Sequence, residues 1–418
     1  MVKEIFKMQK LNDRNSNKLT ALCSAAYFVS YLTRVNFAAV IAAIIAAGDI
    51  DKTMAGAVTT MGFITYGVGQ LISGKLGDII NPKKLMFAGF ILTALMNFSI
   101  PFCPNGVAMC AVWGVNGFAQ SLMWPPMVKI MKSAMTNERY DKGCVAVSWG
   151  STGATILIYL ISPLIITLTN WKGVFFVNSS AALIMSAVWW FLITKIEKET
   201  GIYYPVSRDK NKKESGKEKK KLTASMCLPL LTLTMLAIFF QGSLRDGVTT
   251  WVPTYISEVF KLGSEKSILS GVIVPVFSLI CIQLTSIIYN KMGKKPYKCA
   301  GMMFLVGVIS NGLLALFNNK SIILTIVMCA LCVGCMHGIN LILVCMLPAI
   351  YADEDNMSTL SGTLNFTTYV GSAASTYGFA LLSDKFGWGG TIYTWLAISV
   401  FGTVMCILGG IRAKKADS

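Results

Sequence analysis

Histidine occurs once in this 418-residue chain, at His337, and Asp and Glu together number only 20. A lone imidazole cannot build a multi-histidine metal centre, and no nucleophile stands beside a base. The chain is therefore expected to be no enzyme and to hold no metal or cofactor. Charge is also sparse, with 14% of residues Asp, Glu, Lys or Arg, against about 25% in soluble proteins. That excludes a large soluble domain. The 12 cysteines fall mostly inside apolar runs, as Cys281, Cys329, Cys332 and Cys335 do, without the loop spacing of disulfides or metal ligands. They read as reduced packing residues.

What the chain has is apolar length. Hydrophobic residues make up 54% of it, in runs near 20–48, 54–80, 84–103, 105–133, 143–169, 173–194, 225–260, 268–291, 297–317, 321–350, 357–386 and 390–411. A hydrocarbon core of roughly 30 Å needs about 20 helical residues, so these twelve runs predict an all-α integral membrane protein. The net charge of +17 does not point to nucleic acid, because the bases sit in short connectors. Lys83 and Lys84, Lys129 to Lys142, the central stretch, Lys291 to Lys298 and Arg412 to Lys415 all fall on one side, with only Lys52, Lys172, Lys320 and Lys385 opposite. By the positive-inside rule both termini are cytoplasmic, in a multi-pass protein of the cell (inner) membrane. Asp353, Glu354 and Asp355 depart from the basic pattern, though acids weigh little in orientation. The lead with Lys3, Lys7, Lys10, Arg14 and Lys18 lacks the small-residue site of a cleavable signal. The bilayer is the expected partner of a monomer.

Residues 195–224, rich in Lys, Glu, Ser and Gly, read as a cytoplasmic linker between a six-helix half at 1–194 and another at 225–418. Within the linker, Lys219, Lys220 and Lys221 suit anionic lipid. The halves look like repeats: an offset of 211 residues carries Arg34 onto Arg245 and Lys83 and Lys84 onto Lys294 and Lys295. Asn170-Trp171-Lys172-Gly173 similarly resembles Gly387-Trp388-Gly389-Gly390. Two six-helix halves of this kind resemble the major facilitator architecture.

An arginine within a membrane helix costs at least about 2.5–3.5 kcal/mol to insert, so Arg34 and Arg245 each need water or a partner. Guanidinium stays charged and offers a planar fork to phosphate or carboxylate oxygens. Asp246 is the obvious competing partner for Arg245, but helical neighbours point about 100° apart, so the pair is not expected to meet. Tyr27, Tyr31 and Arg34 share one helix face at i, i+4 and i+7. Tyr66 and Gln70 share another, and Asn365, Tyr369 and Ser372 a third; tyrosine hydroxyls donate to anion oxygens without neutralising them. His337, followed a turn later by Asn340, is either a packing residue or a phosphate contact with pH dependence. Gly74-Lys75-Leu76-Gly77-Asp78, then Asn81-Pro82-Lys83-Lys84, suits a cytoplasmic charge network among Asp78, Lys83 and Lys84 that locks one face closed.

Several of these stretches together resemble the organophosphate:phosphate antiporter family, which includes glycerol-3-phosphate and hexose-6-phosphate antiporters. They are Tyr31 to Phe37, Tyr66 to Lys84, Met123-Trp124-Pro125-Pro126, the Arg-x-Gly-x-x-x-Trp-x-Pro-x-Tyr pattern from Arg245 to Tyr255, and Ser383 to Trp388. The resemblance implies that Arg34 and Arg245 bind the substrate phosphate, with Tyr27, Tyr31, Tyr66 and Tyr369 around it. It also places His337 where the family often has a cavity tyrosine. Gln70, Trp124 and Asn340 complete the expected binding set, with Asp246 grouped among gating or coupling residues. Three departures stand out: Val35 falls where the glycerol-phosphate members carry lysine, Gln70 replaces a cavity lysine, and Gly153 falls near a fifth-helix position that holds histidine. The implied activity is exchange of a sugar or polyol phosphate for inorganic phosphate by alternating access, the bound anion supplying the charge that lets two arginines close together. A proton-coupled symporter of sugar acids and a membrane receptor for a phosphate ester are the alternatives.

Overall fold

A computed structural model describes residues 10–202, 228–261, 264–317, 320–352 and 356–417. The basic run Lys219 to Lys221, most of the linker, the earliest lysines and Asp353 to Asp355 lie outside them.

The helices are α1 (Asp13–Ala46), α2 (Lys52–Ile79), α3 (Pro82–Ser99), α4 (Gly106–Ser121), α5 (Trp124–Ala134), α6 (Asn137–Leu168) and α7 (Trp171–Thr200). They continue with α8 (Leu228–Phe260), α9 (Ser264–Lys291), α10 (Pro296–Leu316), α11 (Ile322–Asn340) and α12 (Met357–Asp417). Taking α4 with α5, and dividing α12 at Gly387 (φ 68°), gives twelve membrane-length segments among the described residues. Eight are long and apolar enough on their own to cross a membrane. Those below that mark include α1 and α2, which carry Arg34 and Gln70.

Short polar residues start the helices. Asn12, Asp51, Asn81, Asn105 and Asn170 each accept a backbone N–H of their own first turn at 2.7–3.0 Å, covering donors that a helix start leaves orphaned. Pro82, Pro125 and Pro296 occupy first-turn positions, where the missing N–H costs nothing. Leu160, Leu164 and Leu168 on α6 and Phe191 on α7 are exposed, as suits side chains whose solvent is lipid.

Two compact units form, one of residues 1–218 with 352–362, the other of 219–351 with 363–418. The first unit has an aromatic core of Phe37, Trp113, Trp171 and Phe175. Helix α7 continues through Lys195 to Thr200, closed by the left-handed Gly201 (φ 68°), so the linker expected from 195 begins several residues later. In the second unit α8 and α12 meet backbone to backbone, since a side chain at Gly242 would strike the Thr368 carbonyl and one at Gly371 the Phe239 carbonyl. Small residues at such crossings let membrane helices pack closely.

One contact recurs inside both units. Trp171 donates its indole N–H to Asp49 at 2.9 Å, and Trp388 donates to Glu258 at 2.7 Å. In each unit an acid near the end of the arginine-bearing helix holds the tryptophan that opens the last segment, supporting the repeat read from the Trp171 and Trp388 motifs.

Candidate functional site

The expected residues of the first unit come together around Arg34. Its guanidinium carbon lies 3.9 Å from the centre of the Tyr31 ring and 4.5 Å from that of Tyr66. Tyr31 is three residues back on α1, where helical spacing puts it on the same face, and Tyr66 reaches in from α2. A cation held over two rings gains about 1 kcal/mol per ring or more when partly desolvated. Tyr27 packs edge-on to Tyr31 at 5.0 Å and against Trp124 at 5.2 Å, so the cluster runs on to the start of α5. Trp124 is buried, and its indole N–H finds no acceptor among the described residues. Gln70, fully buried, faces α4, its amide 3.4 Å from the Ser121 carbonyl oxygen.

Beside the Arg34 face, α1 carries a buried polar net of Ser30, Thr33 and Asn36. Ser30 donates to Gln120 at 2.5 Å and Gln120 to the Thr33 hydroxyl at 2.8 Å. Asn36 donates to Asn97 at 2.7 Å and Asn97 to Asn116 at 3.2 Å, while Asn97 and Asn116 both reach the Thr33 carbonyl at 3.3 Å. All six are buried. Satisfied amide networks are directional, so this one sets the rotation of α1 and the direction in which Arg34 points. Its signal was three asparagines and a glutamine inside apolar runs.

In the second unit Arg245 contradicts the geometric expectation. Its Nε and Nη2 donate to the two carboxylate oxygens of Asp246, each at 2.7 Å. The Cβ atoms of neighbours do diverge, but arginine is long enough to fold its fork back onto the next residue. Ser372 on α12 adds a hydrogen bond to Asp246 at 2.5 Å. Tyr369 lies a turn before it, with its ring 5.9 Å from the Arg245 guanidinium. His337 on α11 is half-buried and within electrostatic range of both Arg245 and Asp246. The Asn340 side-chain N–H group is buried without an acceptor among the described residues, and a π-helical turn from Leu341 to Met346 follows it. Such turns recur at functional sites. Asn365, Tyr369 and Ser372 are all buried on α12.

The third cluster lies wholly within the first unit. Asp78, at the end of α2, accepts the backbone N–H of Ser358 at 3.1 Å, that of Thr359 at 2.9 Å and the Thr359 hydroxyl at 2.5 Å. Its carboxylate thus caps the start of α12, where orphan N–H groups and the helix dipole favour negative charge. Gly74 and Gly77 make room, since a side chain there would come within 3.0 Å of Ser358. The base beside Asp78 is Lys129, fully buried, with its ammonium 3.5 Å from the carboxylate and 3.2 Å from the Asp78 carbonyl. Lys83, expected in that role, instead pairs with Glu197 at 2.5 Å and Thr194 at 3.0 Å, and lies over the Trp190 ring; Lys84 is exposed. Glu197 belongs to α7, not to the linker expected from 195, and Lys129 stands alone inside the apolar run Met127-Val128-Lys129-Ile130-Met131, where a buried charge calls for a buried partner.

Known proteins agree with this reading of the fold. The glycerol-3-phosphate transporter of Bacillus subtilis (strain 168) is 25% identical over 405 residues, covering 93% of this chain and 90% of that protein. A probable hexose phosphate transport protein of Chlamydia trachomatis serovar D is 22% identical over 407 residues, covering 91% and 87%. Among solved structures, a bacterial homologue of the iron transporter ferroportin in its outward-facing state shares the fold, with a TM-score of 0.74 at 12% identity over 94% of this chain and 99% of that one. The family description "Major Facilitator Superfamily" matches residues 23–376, most of the helical segments just described, and the chain belongs to that superfamily.

Proposed function

We infer that this protein is a secondary transporter of an organophosphate, a sugar or polyol phosphate or a related ester, exchanged for inorganic phosphate by alternating access. The observation that carries the reading is Arg34 in its tyrosine pair: a permanent cation within a membrane helix, oriented by aromatic rings and by the buried polar net beside it on α1. The names of the full-length relatives, glycerol-3-phosphate and hexose phosphate transporters, support the substrate class. Tyr27, Tyr31, Tyr66, Gln70 and Trp124 are the accompanying ligands from the first unit. Arg245, His337, Asn340 and Tyr369 are those from the second, and the cap on Asp78 is a gating contact.

The second unit changes the physical account of exchange. Arg245 already has a carboxylate against it, so an arriving phosphoryl group competes with Asp246 for the fork rather than meeting a bare charge. The test is uptake of labelled glycerol phosphate and hexose phosphate into liposomes holding the purified protein. Uptake into phosphate-loaded vesicles and none into empty ones is the expected result. Equal uptake into both overturns exchange, and binding without any uptake favours a receptor. Uptake of sugar acids driven by a proton gradient, lost in Asp246→Asn, favours the symporter.

A further inference from the structure

We propose that Asp246 is a specificity-determining residue and that the substrate is a zwitterion, a phosphate ester whose organic part carries an ammonium group. This rests on the organophosphate reading above and narrows it. An acid is the wrong residue to find in a site that attracts phosphate, because its charge opposes the ligand's. Here it is fixed in place by three hydrogen bonds, from Nε and Nη2 of Arg245 and from the Ser372 hydroxyl.

The arginine and acid together are formally neutral. A bare dianion placed on the pair gains the guanidinium and is opposed by the carboxylate at nearly the same distance. A ligand that brings its own cation removes that opposition, since its ammonium answers the carboxylate while its phosphoryl oxygens take the donors. Asp246 retains partial exposure, 30% of its side chain against 9% for Arg245, so it is the more approachable of the two.

A second observation is independent of the pair. One turn before Arg245 on α8, Gln241 is fully buried, with its amide N–H on the Met336 carbonyl at 3.0 Å and its carbonyl oxygen without a donor among the described residues. On α11 the Asn340 amide has the opposite lack, a buried N–H group without an acceptor. Buried polar groups are rarely left unpaired. This unit therefore presents both a surplus acceptor and a surplus donor, as a ligand with both a cationic donor and anionic acceptors requires.

The test compares binding of O-phosphoethanolamine, glycerol phosphate and inorganic phosphate to the purified full chain by calorimetry. The wild-type protein should bind phosphoethanolamine up to about fivefold tighter than glycerol phosphate, the scale of a partly exposed ion pair. Asp246→Asn, which keeps the shape and one acceptor but not the charge, should erase that ratio. If Asp246 only positions Arg245, both ligands weaken by the same factor and the ratio survives, which overturns the proposal. A wild-type preference for glycerol phosphate overturns it without any variant, and leaves the organophosphate reading standing. Folded protein that binds none of the three sinks both.

Discussion

Replacing Asp78 probes the cap at the start of α12 directly. In the native protein its carboxylate receives three hydrogen bonds from Ser358 and Thr359 and lies 3.5 Å from the ammonium of Lys129, which has no exposed surface. Asp78→Ala removes the carboxylate that balances that buried ammonium and leaves its hydrogen bond to the backbone carbonyl of residue 78, a loss of about 3–5 kcal/mol for a broken buried pair, and removes a helix cap worth about 1 kcal/mol. Asp78→Asn keeps one acceptor for the helix N–H groups and loses only the charge, about 1–2 kcal/mol. Adding Lys129→Met to Asp78→Ala removes the buried charge that no longer has a carboxylate to balance it, so the double variant should regain about 2 kcal/mol over the single alanine. Thermal unfolding of purified protein reads this series. At about 2 °C per kcal/mol for a unit of roughly 230 residues, the alanine variant should melt about 8–12 °C lower and the asparagine variant about 2–4 °C lower. Equal losses for alanine and asparagine, or a double variant as unstable as the sum of its parts, would refute the ion-pair reasoning.

The other predictions concern close approach, the aromatic grip and thiol access. Gly74→Ala places a Cβ 2.9 Å from the Ser358 carbonyl oxygen and should lower the melting temperature, whereas Gly56→Ala on the same helix meets nothing within 4 Å. The Gly56 change should raise it by about 1–2 °C, from the about 0.5–1 kcal/mol that alanine gains over glycine inside a helix. Arg34→Lys keeps the charge but cannot lie flat between Tyr31 and Tyr66; uptake should fall at least about tenfold with the melting temperature nearly unchanged, and full uptake would sink the role given to the guanidinium plane. With maleimide in mild detergent, Cys103 and Cys110, the two half-buried thiols among the described cysteines, should label before the buried ones, as peptide mapping would show.

The membrane architecture was legible because it depends on local composition. Runs of about 20 apolar residues mark crossings wherever they fold, and caps such as Asn81-Pro82 and Asn170-Trp171 announce helix starts. The face of Tyr27, Tyr31 and Arg34 was legible too, since helical phase follows from spacing. What failed was reach. The rule that adjacent residues diverge describes Cβ directions, and the arm of Arg245 is long enough to defeat it. Partners distant in sequence were equally hidden: nothing near Asp78 names Ser358 or Thr359, and nothing near Lys83 names Glu197. The run read as one segment from 105 to 133 breaks between Ser121 and Trp124, where Met-Trp-Pro-Pro is as much a helix start as the asparagine caps are.

The seating of residues 352–362 within the first unit has a consequence for any attempt to make the halves separately. A gene cut in the central stretch gives a leading product with Asp78 and Lys129 and a trailing product with the peptide that answers them. Made alone, the leading piece would lack the Ser358 and Thr359 donors that Asp78 accepts from, and a synthetic peptide carrying them, supplied in trans, should raise its thermal stability.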